Sequence, residues 1–309
     1  MLSSNSSAFN PRVAVYDNNV YVVWTDNSSK GNSDIIFRKS ADKGATFDAA
    51  ENLSNNPGNS TDPLITAYRN HVYVVWTDNT RGNNDIDFKV SHDYGNNFSR
   101  TKPVSRNNGS SVLPQLAATG NNVYVVWTDD TTGNADINFR KSSDYGNNFN
   151  RTTNLSRNNV SSVSPQLAAT GNNVYVVWTN DTTGNADINF RKSSDYGNKF
   201  AGDKNLSENI TSSSFDPKIA ALDREKIHIT WIVGTDNESE IFFTASGDTG
   251  EHFDNALNLS RSTLVSGSLY MAAYQKDLYL VWTETDGSGR GGETIFKRVS
   301  EVFFPRNAK

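Results

Sequence analysis

Hydrophobic residues fall into short runs along the chain, many of them with the two-residue alternation of β-strands, and helical periodicity is absent. In a representative stretch, the pattern predicts four strands at residues 166–170, 174–179, 187–193 and 200–207. The second strand is almost entirely β-branched and aromatic, which predicts burial on both faces. The third alternates apolar and polar residues, as a half-buried strand does, and the fourth is polar and variable, as an outer strand is.

This strand pattern occurs six times in the 309 residues. A tryptophan stands near the end of each predicted second strand, and consecutive tryptophans are 51 to 53 residues apart: Trp24, Trp76, Trp127, Trp178, Trp231 and Trp282. A fixed period over the whole chain predicts a single domain, residues 1–309, in the form of an all-β, six-bladed β-propeller with four antiparallel strands per blade. A β-solenoid is the alternative, but its coils are shorter and parallel, whereas "TGNN" and "DYGNN" are hairpin turns.

The two ends of the chain predict how the array closes. The sequence opens with Leu2-Ser3, which matches the "NLS" at the end of other predicted fourth strands, and it finishes shortly after the sixth unit's third strand, residues 294–300. We therefore expect the N-terminal segment, together with residues 302–304, to complete the last blade and close the ring.

A Ser-x-Asp-x-Gly-x-x-Phe motif stands between the predicted third and fourth strands of five units. Its aspartates are Asp42, Asp93, Asp144, Asp195 and Asp248. In such a turn the carboxylate can accept backbone N–H groups, the glycine can take positive φ, and the phenylalanine can pack between neighbouring units. We predict a structural role for all five copies.

The motif resembles the Asp-box, or BNR repeat, of the sialidase-like propellers, and with strings such as "VYVVWTD" the resemblance covers the entire chain. The resemblance implies a propeller whose Asp-boxes lie away from the catalytic face. It also implies that a sialidase would carry three arginines around the channel mouth, one in a Phe/Tyr-Arg-Ile-Pro motif, with a Tyr/Glu nucleophile pair and an Asp acid/base. The nearest string here, Phe-Asn-Pro-Arg-Val at residues 9–13, is not that motif, which puts sialidase activity in doubt.

One position recurs in every predicted first strand, directly after its initial proline or the equivalent residue. The six side chains there are Arg12, Leu64, Gln115, Gln166, Lys218 and Tyr270. All except Leu64 are candidate ligand-binding residues at the channel mouth. One arginine and one lysine do not form a three-arginine clamp for a carboxylate. An enzyme is expected to bring at least one of Arg12, Lys218 and Tyr270 within about 3 Å of a carboxylate that faces the channel.

Ordinary glycoside hydrolysis requires two carboxylates about 5–10 Å apart. Asp62 and Asp216 precede first-strand prolines in units two and five, and we expect a wide channel to keep them apart. The third and fourth sequence repeats are nearly identical over residues 118–149 and 169–200, which indicates a repeated surface instead of an asymmetric active site. The first, fifth and sixth sequence repeats diverge from one another, so an asymmetric active site stays possible in those repeats.

Each predicted loop between the second and third strands ends in a carboxylate: Asp34, Asp85, Asp136, Asp187, Glu240 and Glu293. Carboxylate and carbonyl oxygens suit a hard cation, so weak calcium sites at the four aspartates are one hypothesis. The alternative is a polar hairpin loop whose side chains bond their own backbone. The four histidines share no ligand-like spacing and are expected to be mostly solvated loop residues: His71, His92, His228 and His252.

Composition and charge narrow the function classes. The chain has 29 basic and 34 acidic residues, a net charge of −5 and no basic segment, which argues against a nucleic-acid partner. Its apolar runs, such as "VYVVW", have at most six residues, far short of the roughly 20 that a membrane span needs. It has no cysteine for disulfides or thiolate metal sites. Fourteen Asn-x-Ser/Thr sequons favour an exported, glycosylated protein.

We therefore predict an extracellular or surface-displayed propeller that binds a glycan or a protein partner without catalysis. Its Asn-, Thr- and Tyr-rich surface suits a hydroxyl-rich ligand. Two alternatives stay open: a sialidase-like glycoside hydrolase, and a structural subunit of a cell-surface layer or filament that contacts copies of itself.

Overall fold

The structure is a computed structural model that describes residues 2, 7–27, 31–181, 184–222, 225–235, 238–274, 277–286 and 292–300. Every regular element within these ranges is a β-strand. No described segment is a helix long and apolar enough to cross a membrane. The expected completion of the last blade by Ser3 and residues 302–304 falls outside the described residues.

The chain divides into two compact units, Met1–Asn159 and Val160–Lys309. The first unit contains three sheets, each with four antiparallel strands hydrogen-bonded in chain order. Sheet one contains β1 (Ala8–Tyr16), β2 (Asn19–Asp26), β3 (Asp34–Ser40) and β4 (Glu51–Asn52). Sheet two contains β5 (Ser60–Tyr68), β6 (His71–Asp78), β7 (Asp85–Ser91) and β8 (Lys102–Pro103). Sheet three contains β9 (Ser111–Thr119), β10 (Asn122–Asp129), β11 (Asp136–Ser142) and β12 (Thr153–Asn154).

The second unit repeats this arrangement. Sheet four contains β13 (Ser161–Thr170), β14 (Asn173–Asp181), β15 (Ala186–Ser193) and β16 (Lys204–Asn205). Sheet five contains β17 (Ser214–Ala221), β18 (Ile227–Thr235), β19 (Glu238–Ser246) and β20 (Leu257–Asn258). Sheet six contains β21 (Val265–Tyr274), β22 (Asp277–Thr285) and β23 (Gly292–Val299). One parallel pairing, between Ser239 and Val265, joins sheet five to sheet six.

The core of each unit lies between consecutive sheets. In β6, Val72, Val74 and Trp76 pack toward sheet one, whereas Tyr73 and Val75 pack toward sheet three. Because successive strand residues point to opposite faces, a strand between two neighbouring sheets must be apolar at every position. The predicted burial of the second strands on both faces is confirmed for β6, β10 and β14, whereas β22 alternates between buried and half-buried residues.

The predicted strand bounds differ from the structure mainly at the first and fourth strands. The first strand of sheet four begins at Ser161, not at residue 166, because it continues through a bulge around Pro165. The fourth strand, predicted over residues 200–207, pairs only at Lys204–Asn205. On either side of this pair single backbone bonds still reach β15, from the Ala201 N–H to the Lys192 carbonyl and from the Leu206 N–H to the Ile188 carbonyl. The Ser207 N–H donates to the Asn205 side chain, where the chain turns away from the ladder.

Candidate functional site

Every first strand carries a β-bulge immediately before its candidate binding residue. The pairing register shifts there in all six sheets. The bulged residues have φ between 48° and 53°: Asn10, Asp62, Leu113, Ser164, Asp216 and Ser268. Proline follows five of them, and because proline has no N–H, the interruption costs no ladder hydrogen bond. Bulges re-aim side chains, and strained non-glycine residues concentrate at functional sites, so these positions form the candidate surface.

In the first unit the candidate surface lies on β1, β5 and β9, which are neighbours. The Asn10 side-chain amide donates to the Asp62 carboxylate at 3.0 Å and so links two bulges. Arg12 is exposed, and its guanidinium donates to the carbonyl of Pro11 at 3.0 Å. Gln115 is half-buried, and its amide has no hydrogen-bond partner within the described part of the chain.

In the second unit the equivalent surface lies on β13, β17 and β21, which are also neighbours. Lys218 forms an ion pair with Asp216, the bulged residue of its own strand. Tyr270 is 71% exposed. Gln166 is half-buried, and its amide also lacks a partner among the described residues. Lys218 therefore lies within the distance from a carboxylate that was expected of an enzyme.

The candidate surface carries hydrogen-bonding, charged and aromatic groups. Amides, a guanidinium, an ammonium and an exposed aromatic ring are the groups that bind sugar hydroxyls and stack on sugar rings. Both bulge carboxylates are held by donors: Asp216 by Lys218, and Asp62 by Asn10 and Thr61. A glycosidase, by contrast, sets two carboxylates to act on one bond.

The five Ser-x-Asp-x-Gly-x-x-Phe turns share one hydrogen-bond network. In the second copy the Ser91 hydroxyl donates to Asp93 at 2.6 Å and accepts the Gly95 N–H at 2.8 Å. The Asp93 carboxylate also accepts the Asn97 N–H at 2.9 Å. The aspartates at positions 42, 93, 144, 195 and 248 all accept a backbone N–H within such turns. Their structural role stays a prediction.

The loop aspartates predicted as calcium candidates each accept a serine hydroxyl: Asp34 from Ser54, Asp85 from Ser105, Asp136 from Ser156, and Asp187 from Ser207. Each serine also accepts a backbone N–H from the third strand. Among the described residues no three His, Asp or Glu side chains are grouped to hold a metal ion. Calcium binding at the four aspartates stays a prediction.

Two histidines that the sequence placed in unrelated loops are neighbours in the structure. The Nδ1 atoms of His71 and His92 are 2.8 Å apart. Burial, with the nearby His92 and Arg69, lowers the pKa of His71. The expectation of solvated loop histidines is wrong for His228, which lies in β18 and is 4% exposed, whereas His92 is exposed and follows the end of β7. Residues 71 and 92 are 21 apart, and only the antiparallel pairing of β6 with β7 reveals their contact.

Comparison with known proteins supports the fold. No protein-family model and no curated protein matches the sequence. Among solved structures, an ulvan lyase of polysaccharide lyase family 25 has 14% identity and a TM-score of 0.63, with 94% of this chain and 78% of that chain covered. The intramolecular trans-sialidase from Ruminococcus gnavus has 10% identity and a TM-score of 0.59, with 96% and 94% covered.

An α-L-arabinofuranosidase from Fusarium graminearum has 13% identity and a TM-score of 0.58, with 95% of this chain and 93% of that chain covered. The chain therefore has a sialidase-like β-propeller fold. Since these three neighbours carry out different reactions, the fold leaves the reaction and the ligand open.

Proposed function

We propose that this protein is a non-catalytic, glycan-binding propeller that uses the candidate surface of its second unit. The observation that carries the proposal is the set of groups at equivalent bulges of neighbouring strands: the Gln166 amide, the Lys218–Asp216 ion pair and the exposed Tyr270 ring. Aromatic stacking with hydrogen bonds from an amide and from a charged pair suits a saccharide. Solved structures with this fold that act on glycans support the ligand class.

The proposal also includes the finer features of the fold. Six sheets, repeated at the spacing of the tryptophans, form a six-bladed ring that the N-terminal segment closes in the last blade. The neighbours that match 94–96% of this chain support one continuous propeller. Small-angle scattering tests the ring: a compact particle of 309 residues has a radius of gyration of about 19 Å. A clearly larger value, from two separated units, would contradict it.

An extracellular or surface location belongs to the same proposal and rests on the fourteen sequons. Mass spectrometry of the protein from its native source tests it, because sequon glycosylation requires export. Peptides with unmodified asparagines throughout, recovered from the cytoplasmic fraction, would contradict an exported protein.

A glycan array tests the binding site. Wild-type protein should bind a defined glycan set, and the Lys218→Ala/Tyr270→Ala variant should lose about tenfold or more of the affinity, as interface hot spots do. Tyr274→Ala is the matched control, since Tyr274 is on the same strand and 66% exposed. Equal loss in the control, or no glycan binding by the wild type, would overturn the proposal.

Two further measurements separate the alternatives. The glycosidase alternative is tested at Asp216, because this carboxylate pairs with Lys218. Hydrolysis of a fluorogenic sialoside by the wild type, abolished by Asp216→Asn, would favour the glycosidase. Light scattering that shows concentration-dependent assembly in the absence of glycan would favour the structural subunit.

A further inference from the structure

We propose that His71 and His92 form a binding site for a divalent transition-metal ion of the Cu²⁺ class. His71 is the first residue of β6, and His92 follows the end of β7. The antiparallel pairing of these strands brings the two imidazoles together with their ring planes at 85° and their Nδ1 atoms 2.8 Å apart.

The separation of the two nitrogens matches neighbouring ligands of a tetragonal ion. Imidazole nitrogens bind such metals at about 2.0 Å, and Cu²⁺ and Ni²⁺ prefer square-planar or tetragonal arrangements. Two ligands at 90° are then about 2.8 Å apart, against the 2.8 Å between these Nδ1 atoms. A tetrahedral site would require a wider spacing of about 3.3 Å, so the geometry favours Cu²⁺ over Zn²⁺.

The surroundings of His92 orient it as a ligand. Its Nε2 is 3.2 Å from the Asn147 side-chain oxygen, and the Asn147 amide nitrogen donates to the Asp144 carbonyl at 2.7 Å, which fixes the oxygen toward the histidine. His92 therefore carries its proton on Nε2 and presents the Nδ1 lone pair. A hydrogen bond from the distal ring nitrogen to a fixed oxygen is the usual support of a metal-binding histidine.

The position of His71 is also fixed. Its ring stacks on Tyr145 with 4.4 Å between centroids and lies 6.0 Å from the ring of Tyr73. Without a metal, its Nδ1–H donates to His92. On metal binding, that proton moves to Nε2 of the same ring, so that two neutral imidazoles act as ligands and no proton is lost. Water fills the remaining coordination positions.

The histidine pair breaks the repeat of the sheets. At the equivalent places sheet three has Asn122 and Ser143, and sheet four has Asn173 and Ser194. A hydrogen bond beside these positions is the same in both sheets. Asn70 donates to the backbone carbonyl of His92 in sheet two, and Asn121 donates to that of Ser143 in sheet three. Two histidines at adjacent positions of one sheet alone are a local specialisation on a shared scaffold.

The test is titration of tag-free protein with Cu²⁺ alone, followed by electron paramagnetic resonance. We expect one saturable site per chain with hyperfine coupling to two nitrogens. His71→Asn/His92→Ser reproduces the residues of sheet three and should abolish it. Asn147→Ala should weaken binding about tenfold through loss of the support to His92.

His252→Asn is the matched control, because His252 is exposed and pairs with Asp248 elsewhere in the second unit. It should leave the site unchanged. Equal Cu²⁺ binding by the double variant and the wild type, or the absence of saturable binding, would overturn the proposal. Thermal melts of each variant verify that it is folded, and the single variant His92→Ser provides a second test if the double variant is unstable.

Discussion

The ring of Phe98 packs edge-on against that of Phe37, with 5.0 Å between their centroids and 79° between their planes. Phe98 closes the motif turn of sheet two, and Phe37 lies in the third strand of sheet one. The same contact joins Phe149 to Phe88 and Phe253 to Phe190. In these three turns the motif phenylalanine ties the turn to the preceding sheet of the same compact unit.

Replacing this phenylalanine should destabilise the protein. Phe98 is half-buried, so Phe98→Ala should lower the free energy of unfolding by about 2–3 kcal/mol, somewhat less than the loss of a fully buried ring. Urea denaturation measures the change. Arg100→Ala, at an exposed position nearby, should stay within about 0.5 kcal/mol of the wild type; a similar loss in both variants would contradict a specific contact.

The motif glycines offer a matched comparison between two turns. Gly44 and Gly146 have φ of +87° and +82°. A Cβ on Gly146 would lie 2.8 Å from the Phe88 ring, whereas on Gly44 its nearest neighbour would be 3.9 Å away. Gly44→Ala should therefore cost about 1–2 kcal/mol for the left-handed backbone alone, and Gly146→Ala about 1–3 kcal/mol more for overpacking. Thermal or urea unfolding of the two variants measures the difference, and equal losses would refute the steric argument.

The motif aspartates should make stability depend on pH in the acid range. Hydrogen bonds from Ser40 and Thr46 lower the pKa of Asp42 to about 2. For Asp93, burial raises the pKa, but hydrogen bonds from Ser91 and Asn97 outweigh it and lower the value to about 2. Because the folded pKa values are below those of the unfolded chain, this stabilisation is complete above about pH 4 and is lost as the pH falls toward 2.

The urea midpoint measured as a function of pH tests this dependence. It should fall between about pH 4 and pH 2. Asp93→Asn should lower the midpoint at neutral pH and make the acid-induced fall smaller, since an amide does not titrate. An identical pH profile for the variant and the wild type would show that Asp93 does not contribute.

Sheet two contains an ion cluster of one arginine and two buried carboxylates. Arg81 donates to Asp85 and to Asp87, each at 2.7 Å, and both carboxylates are 2% exposed. Burial raises the pKa of Asp87 in spite of the guanidinium beside it. Removing the cation alone leaves the carboxylates buried without their partner, so Arg81→Thr should cost about 3–5 kcal/mol.

The internal repeat supplies the control for this prediction. Thr132 and Asn138 are the equivalents of Arg81 and Asp87 in sheet three. Arg81→Thr/Asp87→Asn copies that sheet, and its stability should recover to within about 1 kcal/mol of the wild type. Chemical denaturation of the single and double variants measures the coupling between the two sites. If the losses of stability in the two single variants simply added up in the double variant, the coupling between Arg81 and Asp87 would be contradicted.

Much of the fold follows from the sequence alone. Continuous apolar second strands and alternating third strands encode which strands are central and which faces are buried. The short motif contains its own turn, because Ser91, Asp93 and Gly95 are close in sequence and bond to one another. Local periodicity and local hydrogen bonding are readable from a linear pattern.

Long-range pairing was decided only by the tertiary structure. The fourth strands shrink to two residues, as at Lys204–Asn205, and the chain turns away just after them, where the Ser207 N–H donates to the Asn205 side chain. The bulge that brings Asp216 to Lys218 depends on register against β18. His71 and His92 meet because two strands pair, and no spacing rule in the sequence encodes their 2.8 Å contact. Repeated local patterns thus determine the scaffold, whereas the chemistry of its sites depends on contacts between residues distant in sequence.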